Sequence, residues 1–310
     1  MRKTFVIILL ALICLTLPFC RTSQAAESEK LHIVTTTFPP FDFAREIADQ
    51  AADVSMLLPP GSESHTFEPT PQDIIKIQEC DIFIYGGGES DSWADRILAS
   101  LDTSNMRIIA MTDYVQTVEE EIVEGMQADS KEGEAETDEH VWTSPKNAAL
   151  IVQAIAEAMI QADTANAAAY KQSSQSYLKK LNALDAAFEE TVANAARKTL
   201  VFGDRFPFRY LADAYGLEYF AAFPGCAGES EASAQTVVFL IDKVRQENIP
   251  AVFHIEFSNE LIADAICEET GAKKLLLHSC HNVSPREIKE GASYLSLMSQ
   301  NVDQLKEALN

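Results

Sequence analysis

Four side chains able to ligate a metal ion follow four separate apolar runs of this chain. They are His65, His140, Asp204 and His278. Imidazole and carboxylate groups suit zinc and related divalent ions. Ligands of open α/β sheets bind beyond the carboxyl ends of the strands, so these positions predict one metal site in a cleft between two lobes. Singly, each histidine could be an ordinary surface or core residue; their joint placement carries the prediction.

Two further side chains near predicted strand ends compete for places in this site. His281 lies three residues after His278, and Glu256 could bind the ion, orient a histidine or form a salt bridge between lobes. Asp204 could instead cap a following helix. Because successive side chains of a strand point to opposite faces, we expect Asp204, not Arg205, to face the ion. We also expect His278, at the strand end itself, to lie closer to the ion than His281.

The cysteines offer no local metal motif. Removal of a signal peptide leaves Cys80, Cys226, Cys267 and Cys280, and one disulfide among them would suit an oxidising compartment, with the pairing left open. No C-x-x-C spacing occurs, so neither a thiolate zinc site nor a thioredoxin-like motif is indicated. The His-Glu-x-x-His motif is also absent. A zinc-dependent hydrolase, with Glu256 as its general base, is the alternative from a different class.

The first 25 residues have the pattern of a secretory signal peptide. Arg2 and Lys3 precede an apolar run over 5–17, and small residues follow near Ala25. Cleavage at Cys20 instead would leave a lipid anchor, so the protein is predicted to be exported, either periplasmic or on the cell surface. Loss of the three positive charges in 1–25 takes the net charge from −23 to −26. Such a surface repels nucleic acid and attracts cations, and we expect a monomer.

Short apolar runs alternate with amphipathic helices along the rest of the chain, a pattern typical of α/β lobes with parallel sheets. The predicted strands form two sets of four, at 31–36, 54–58, 81–85 and 107–110, then at 199–202, 218–223, 251–256 and 274–277. Each set predicts one lobe with a four-stranded, mainly parallel sheet flanked by helices. Thr70-Pro71 and Ser144-Pro145 each indicate a helix N-cap followed by proline.

A stretch without glycine or proline separates the two sets of strands. It predicts a helix of about 33 residues, ~50 Å long, that joins the lobes as a rigid strut. The chain is accordingly divided into a first lobe at 26–162, a linking helix at 163–197 and a second lobe at 198–310.

The segment 119–139 differs in composition from its surroundings. It carries ten acidic residues, one lysine and no aromatic residue. Such a segment lacks the apolar side chains needed for a core, so we predict a mobile surface loop.

Several motifs, in this order and spacing, resemble the solute-binding proteins of zinc and manganese ABC transporters, the cluster whose lobes are joined by a long rigid helix. The resemblance runs from about residue 31 to residue 310. Its marks are the Thr-Thr-Thr-Phe-Pro-Pro-Phe stretch at 35–41, the segment 58–69 around His65, the segment 140–147 that begins with His140, and the segment 209–217.

The resemblance implies metal ligation by His65 and His140, in a protein that captures a divalent ion, zinc before manganese, and delivers it to an ABC transporter permease without catalysis. It places Arg205 where the family has its third ligand. A guanidinium cannot bind a cation, so we expect a shift to the neighbouring Asp204. The fourth position matches His278 best and His281 next. A surface adhesin of the same fold is a second alternative.

Overall fold

The computed structural model describes residues 30–127, 137–227 and 231–310. The predicted signal peptide, with the alternative lipid anchor at Cys20, lies outside the described residues, as does the middle of the acidic segment. Within the described ranges, no helix combines the length and the apolar composition needed to cross a bilayer.

The first half of the chain forms a four-stranded sheet whose neighbouring strands are all parallel. Its order is β2-β1-β3-β4, and it is built from β1 (Leu31–Thr35), β2 (Ala52–Met56), β3 (Ile82–Tyr85) and β4 (Arg107–Ala110). The connecting helices are α1 (Phe38–Ala48), α2 (Pro71–Glu79) and α3 (Ser92–Leu98). The predicted cap at Thr70 is confirmed, because its hydroxyl accepts the backbone N–H of Asp73 and the Asp73 carboxylate accepts that of Thr70.

The second half forms a matching parallel sheet of order β6-β5-β7-β8. Its strands are β5 (Thr199–Phe206), β6 (Glu218–Pro224), β7 (Ala251–His254) and β8 (Lys273–Leu276). The predicted α/β class with two four-stranded sheets is confirmed. Strand β5 continues past its predicted end, and its pairing with β6 slips between Phe202 and Arg205. Asp204 and Arg205 therefore lie inside an irregular strand and not beyond its end.

Two long helices follow the first sheet along the chain, and the second of them lies within the predicted helix at 163–197 but is about four residues shorter at each end. They are α4 (Pro145–Ala162) and α5 (Ala167–Ala193). The chain breaks between them because the Asp163 carboxylate accepts the backbone N–H groups of Ala165 and Asn166. Helix α5 has 27 residues and a length of ~40 Å, and it packs on α1 and α4. The division into lobes at 26–162 and 198–310 stays a prediction.

The remaining helices end the second half and return the chain to the first. They are α6 (Arg209–Tyr215), α7 (Ala234–Glu247), α8 (Leu261–Thr270), α9 (Pro285–Glu290) and α10 (Tyr294–Ala308). The Tyr294 N–H of α10 donates to the Asp42 carboxylate of α1 at 2.8 Å, and the Tyr294 hydroxyl donates to the Trp142 carbonyl at 2.7 Å. The buried Trp142 indole donates to the Ser279 carbonyl at 2.8 Å. These bonds hold the segment before α4 against the loop after β8.

The described flanks of the predicted mobile surface loop at 119–139 contact the second half of the chain. The Glu120 carboxylate accepts the backbone N–H of Cys226 at 2.7 Å, and the Glu121 carboxylate forms an ion pair with Arg209. The backbone N–H of Gln127 donates to the carbonyl of Ala222 in β6 at 3.0 Å. The hydrogen-bond and ion-pair partners of these groups belong to the second half of the chain, and composition alone does not predict such contacts.

The predicted disulfide is not formed among the described residues. Cys80, Cys226, Cys267 and Cys280 are all free thiols. Cys80 and Cys280 are buried as small core residues, whereas Cys226 and Cys267 are partly exposed.

Candidate metal centre

Three imidazoles meet between the two sheets. A possible ligand atom from each of His65, His140 and His281 lies within 4.8 Å of the others, and their ring centroids are 5.2 to 5.7 Å apart. His140 and His281 are buried, whereas His65 is partly exposed. A small cavity lined by residues of both halves of the chain adjoins all three rings. Three imidazoles with one open coordination position suit a zinc ion.

Local backbone features bring His65 and His281 to the same place. His65 lies in the loop after β2, and the Asn282 side chain holds that loop by donating to the carbonyls of Pro59 and Ser62 at 2.8 and 2.9 Å. Cys280 has φ 63°, a left-handed conformation uncommon outside glycine. This turn redirects the chain after β8, so that His281 faces the loop that carries His65.

Each of the three rings places its Nδ1 atom beside an oxygen. The partners are Ser90 Oγ at 2.7 Å from His65, Asp138 Oδ1 at 3.0 Å from His140, and Ser64 Oγ at 3.1 Å from His281. Among the described residues, no hydrogen bond engages the three Nε2 atoms. The arrangement favours Nδ1–H tautomers, which direct the Nε2 lone pairs toward a shared ion.

Burial and neighbouring charges set the protonation of the cluster. Burial, together with His140 and Arg205, lowers the pKa of His65 to about 3. Burial also lowers the pKa of His281 well below its ordinary value. Burial opposes the charged form of His140 as well, but the adjacent Asp138 carboxylate outweighs it and raises the pKa of His140. Two of the three rings are therefore neutral across the physiological range, as a metal ligand must be.

The structure does not bring Asp204 and His278 into this cluster. The Asp204 carboxylate accepts the backbone N–H groups of Arg205 at 2.8 Å and Ile255 at 3.3 Å, so it ties β5 to the segment after β7. His278 Nδ1 accepts the backbone N–H of Cys280 at 2.9 Å. The turn at Cys280 places His281, and not His278, beside His65 and His140; the choice of His281 as the ligand is a proposal.

Glu256 contacts the histidine cluster indirectly, through Ser279. Its carboxylate accepts both the backbone N–H and the hydroxyl of Ser279, and the Ser279 oxygen accepts the backbone N–H of His281 at 3.2 Å. Of the three roles left open for Glu256, this one corresponds to orienting a histidine.

A salt bridge between the two halves does lie beside the cavity, but it does not involve Glu256. Arg205 Nη2 lies 3.1 Å from Glu63 Oε2, and both side chains line the cavity beside the imidazoles. Burial alone would raise the pKa of Glu63, but the Arg205 guanidinium reverses the effect and lowers it. The slipped pairing of β5 explains why Arg205 reaches the cavity that strict alternation would have given to Asp204.

Sequence reasoning missed three residues that hold the imidazoles, namely Ser64, Ser90 and Asp138. Ser64 directly precedes His65, and Asp138 lies two residues before His140. A polar residue this close to a candidate ligand was an available signal, but the acidic composition around Asp138 favoured a solvated role.

Comparison with known proteins identifies relatives along nearly the whole chain. The model of the family described as the periplasmic zinc-uptake complex component A, ZnuA, matches residues 33–308. The high-affinity zinc uptake system protein ZnuA of Bacillus subtilis is 30% identical over 289 residues, which cover 93% of this chain and 90% of that protein. The zinc-binding lipoprotein AdcA of Streptococcus pneumoniae is 30% identical over 307 residues, 98% of this chain but only 61% of that protein.

A solved structure agrees with the fold. The Zn(II)-bound ZnuA-like domain of AdcA from Streptococcus pneumoniae has a TM-score of 0.76 and 28% identity to this chain. The match covers 91% of this chain and 99% of that domain. The two parallel sheets and the helices between them are therefore shared with a domain whose crystal structure contains zinc.

Proposed function

Because the chain belongs to the ZnuA family of periplasmic zinc-uptake components, we propose that it is an extracytoplasmic solute-binding protein that captures zinc and delivers it to an ABC transporter permease. The observation that carries this proposal is the convergence of His65, His140 and His281, each of which has an oxygen partner at Nδ1 and so leaves Nε2 available to an ion. We assign these three residues as the zinc ligands, in place of a set containing Asp204 or His278.

The chemistry of the donors favours zinc over manganese. Imidazole nitrogen suits zinc, whereas manganese prefers carboxylate and water oxygen. The two carboxylates considered as ligands, Asp204 and Glu256, are engaged with backbone N–H groups. A site with three nitrogen donors and a fourth position for water or a carboxylate should therefore prefer zinc.

Capture in this proposal is binding without a chemical step. The Nε2 atoms of the three imidazoles replace water molecules of the hydrated ion, and the net negative surface attracts cations to the cavity. Helix α5 packs on helices of the first half and contacts α6 of the second, so it restricts wide hinge motion. Release to the permease would then use movements of the loops that carry His65 and His281.

An enzymatic role has less support in the contacts. A zinc hydrolase needs a general base beside a metal-bound water, and Glu256, the candidate base, is held by Ser279. We therefore propose a monomeric binding protein without catalytic activity. This proposal is preferred to both the hydrolase and the adhesin alternatives.

The test is metal analysis of the exported chain. Protein freed of metal with a chelator is titrated with zinc and, separately, with manganese, in competition with a chromophoric chelator. We expect one zinc ion per chain, weaker binding of manganese, and a stabilisation of ~4 kcal/mol at a thousandfold excess of zinc over Kd. An unfolding temperature that does not change when zinc is restored would overturn the proposal.

A further inference from the structure

A second group of metal-capable side chains adjoins the three-histidine cluster and shares His140 with it. Possible ligand atoms of Glu139, His140 and Cys226 all lie within 4.8 Å of one another. Glu139 and His140 are buried and Cys226 is partly exposed. The group therefore combines a carboxylate oxygen, an imidazole nitrogen and a sulfur, and it shares only His140 with the first cluster.

The loop that carries Cys226 packs closely against His140. A Cβ atom added at Gly225 would lie 3.2 Å from both Cε1 and Nδ1 of His140, so the loop passes directly over the imidazole edge. The Glu120 carboxylate accepts the backbone N–H of Cys226 at 2.7 Å and holds the loop there. These contacts fix the loop that carries Cys226 beside His140.

Among the described thiols, Cys226 is the one that belongs to a group of metal-capable side chains. Cys80 and Cys280 are buried core residues, and their sulfur atoms lie near backbone carbonyls. Cys226 instead lies beside the carboxylates of Glu139 and Glu120. Carboxylates crowded around a thiol repel its thiolate but attract a cation, and a bound cation would relieve that repulsion.

We propose that Glu139, His140 and Cys226 form a second metal position. An ion moves to it from the three-histidine site when Glu139 and Cys226 replace His65 and His281 as ligands, and His140 binds the ion in both positions. The proposed function assigns His140 to the three-histidine site, so one ion occupies one position at a time. On binding, the thiol loses its proton to solvent and the sulfur forms the metal bond as a thiolate; no oxidant is required. Thiolate favours zinc and cadmium and disfavours manganese, so this position would add discrimination against manganese.

Cobalt(II) reports on this proposal because a cobalt–thiolate bond gives a charge-transfer absorption in the near ultraviolet that nitrogen and oxygen ligands do not give. The full exported chain carrying His281→Ala, which weakens the three-histidine site but keeps Glu139, His140 and Cys226, is titrated with cobalt. We expect the thiolate band, and we expect its loss when Cys226→Ser is added. Cys267→Ser in the same background is the matched control, because Cys267 is also a partly exposed thiol, and it should retain the band.

Affinity gives a second readout. In the His281→Ala background, Cys226→Ser should weaken cadmium binding by about tenfold or more, since even a partner of a ligand is worth about 10- to 100-fold. His65→Ala provides a second background if His281→Ala does not fold. Cobalt binding without the thiolate band in both backgrounds, or a band that survives Cys226→Ser, would overturn the second position. That result would leave the three-histidine site intact, whereas failure of the wild-type chain to bind zinc would overturn the proposed function.

Discussion

Arg205 of β5 and Glu63 of the loop after β2 form an ion pair that joins the two halves of the chain beside three imidazoles, with Nη2 and Oε2 3.1 Å apart. A guanidinium beside a cation site is unfavourable unless its charge is compensated. Glu63 supplies that compensation, and the pair also connects the loop that carries His65 to the second sheet. Arg205 occupies the position where the family resemblance predicts a ligand. It thus affects the electrostatics of the site.

We expect substitutions of Glu63 and Arg205 to change zinc affinity in opposite directions. Glu63→Gln leaves the Arg205 charge uncompensated and should weaken zinc binding by about three- to tenfold, whereas Arg205→Gln should strengthen it by a similar factor. The double variant should lie near the wild type. Competition titrations at low and high salt measure these effects, which should shrink as salt screens them. Equal weakening by both single variants would show that the pair acts through loop position instead of charge.

The third zinc ligand is proposed to be His281 and not His278, which lies three residues earlier. His281→Ala should reduce zinc affinity by more than the ~10- to 100-fold that loss of a supporting partner costs, because it removes a metal bond. His278→Ala should leave affinity within a few-fold, since the His278 ring contacts Glu256, Glu287 and the backbone of Cys280. The check is a chelator competition titration of both variants, with His32→Ala as a control because His32 is an exposed residue of β1 outside the histidine cluster. A larger loss in His278→Ala than in His281→Ala would restore the assignment expected from the sequence.

The strands could be predicted from the sequence because an apolar run and its flanking turns are local features. All eight strands lie within a few residues of their expected positions, and the cap at Thr70 follows from two adjacent side chains. Their pairing into two parallel sheets follows from the alternation of strands with helices.

The inner arrangement of the site could not be predicted because it depends on backbone conformation and distant partners. Distance from a strand end favoured His278, but the left-handed turn at Cys280 directs His281 inward. Alternation along β5 favoured Asp204, but the slipped pairing with β6 directs Arg205 to the cavity. The thiol of Cys226 was set aside for lack of a C-x-x-C motif, although its neighbours in space are Glu139 and His140.

Asp138 should influence zinc affinity without touching the ion. Its carboxylate lies 3.0 Å from His140 Nδ1 and accepts the His140 backbone N–H at 2.8 Å, so it fixes both the orientation and the tautomer of the ring. Asp138→Ala should therefore reduce zinc affinity about 10- to 100-fold. Zinc titration of this variant is compared with that of Asp102→Ala, which changes an exposed carboxylate and should bind as the wild type does. Unchanged affinity in Asp138→Ala would remove its supporting role.

Asp42 gives the fold a pH dependence that is separate from metal binding. Burial raises the pKa of this α1 carboxyl to about 6, against the opposing effects of Arg45 and the Tyr294 N–H. In the unfolded chain the group titrates near 3.8, so between these two values the folded state binds more protons. Stability must then fall as pH rises through this range.

The size of the effect is measurable by comparing two variants. A rise of about two pKa units corresponds to ~3 kcal/mol of unfolding free energy lost between pH 4 and pH 7. Asp42→Asn removes the titrating group and should remove that part of the slope, so its stability relative to wild type should rise with pH. Urea unfolding of metal-free protein across this range provides the measurement, with Asp303→Asn as the control because its side chain is 75% exposed. A difference between Asp42→Asn and wild type that does not change with pH would show that the Asp42 carboxyl titrates alike in the folded and unfolded chains.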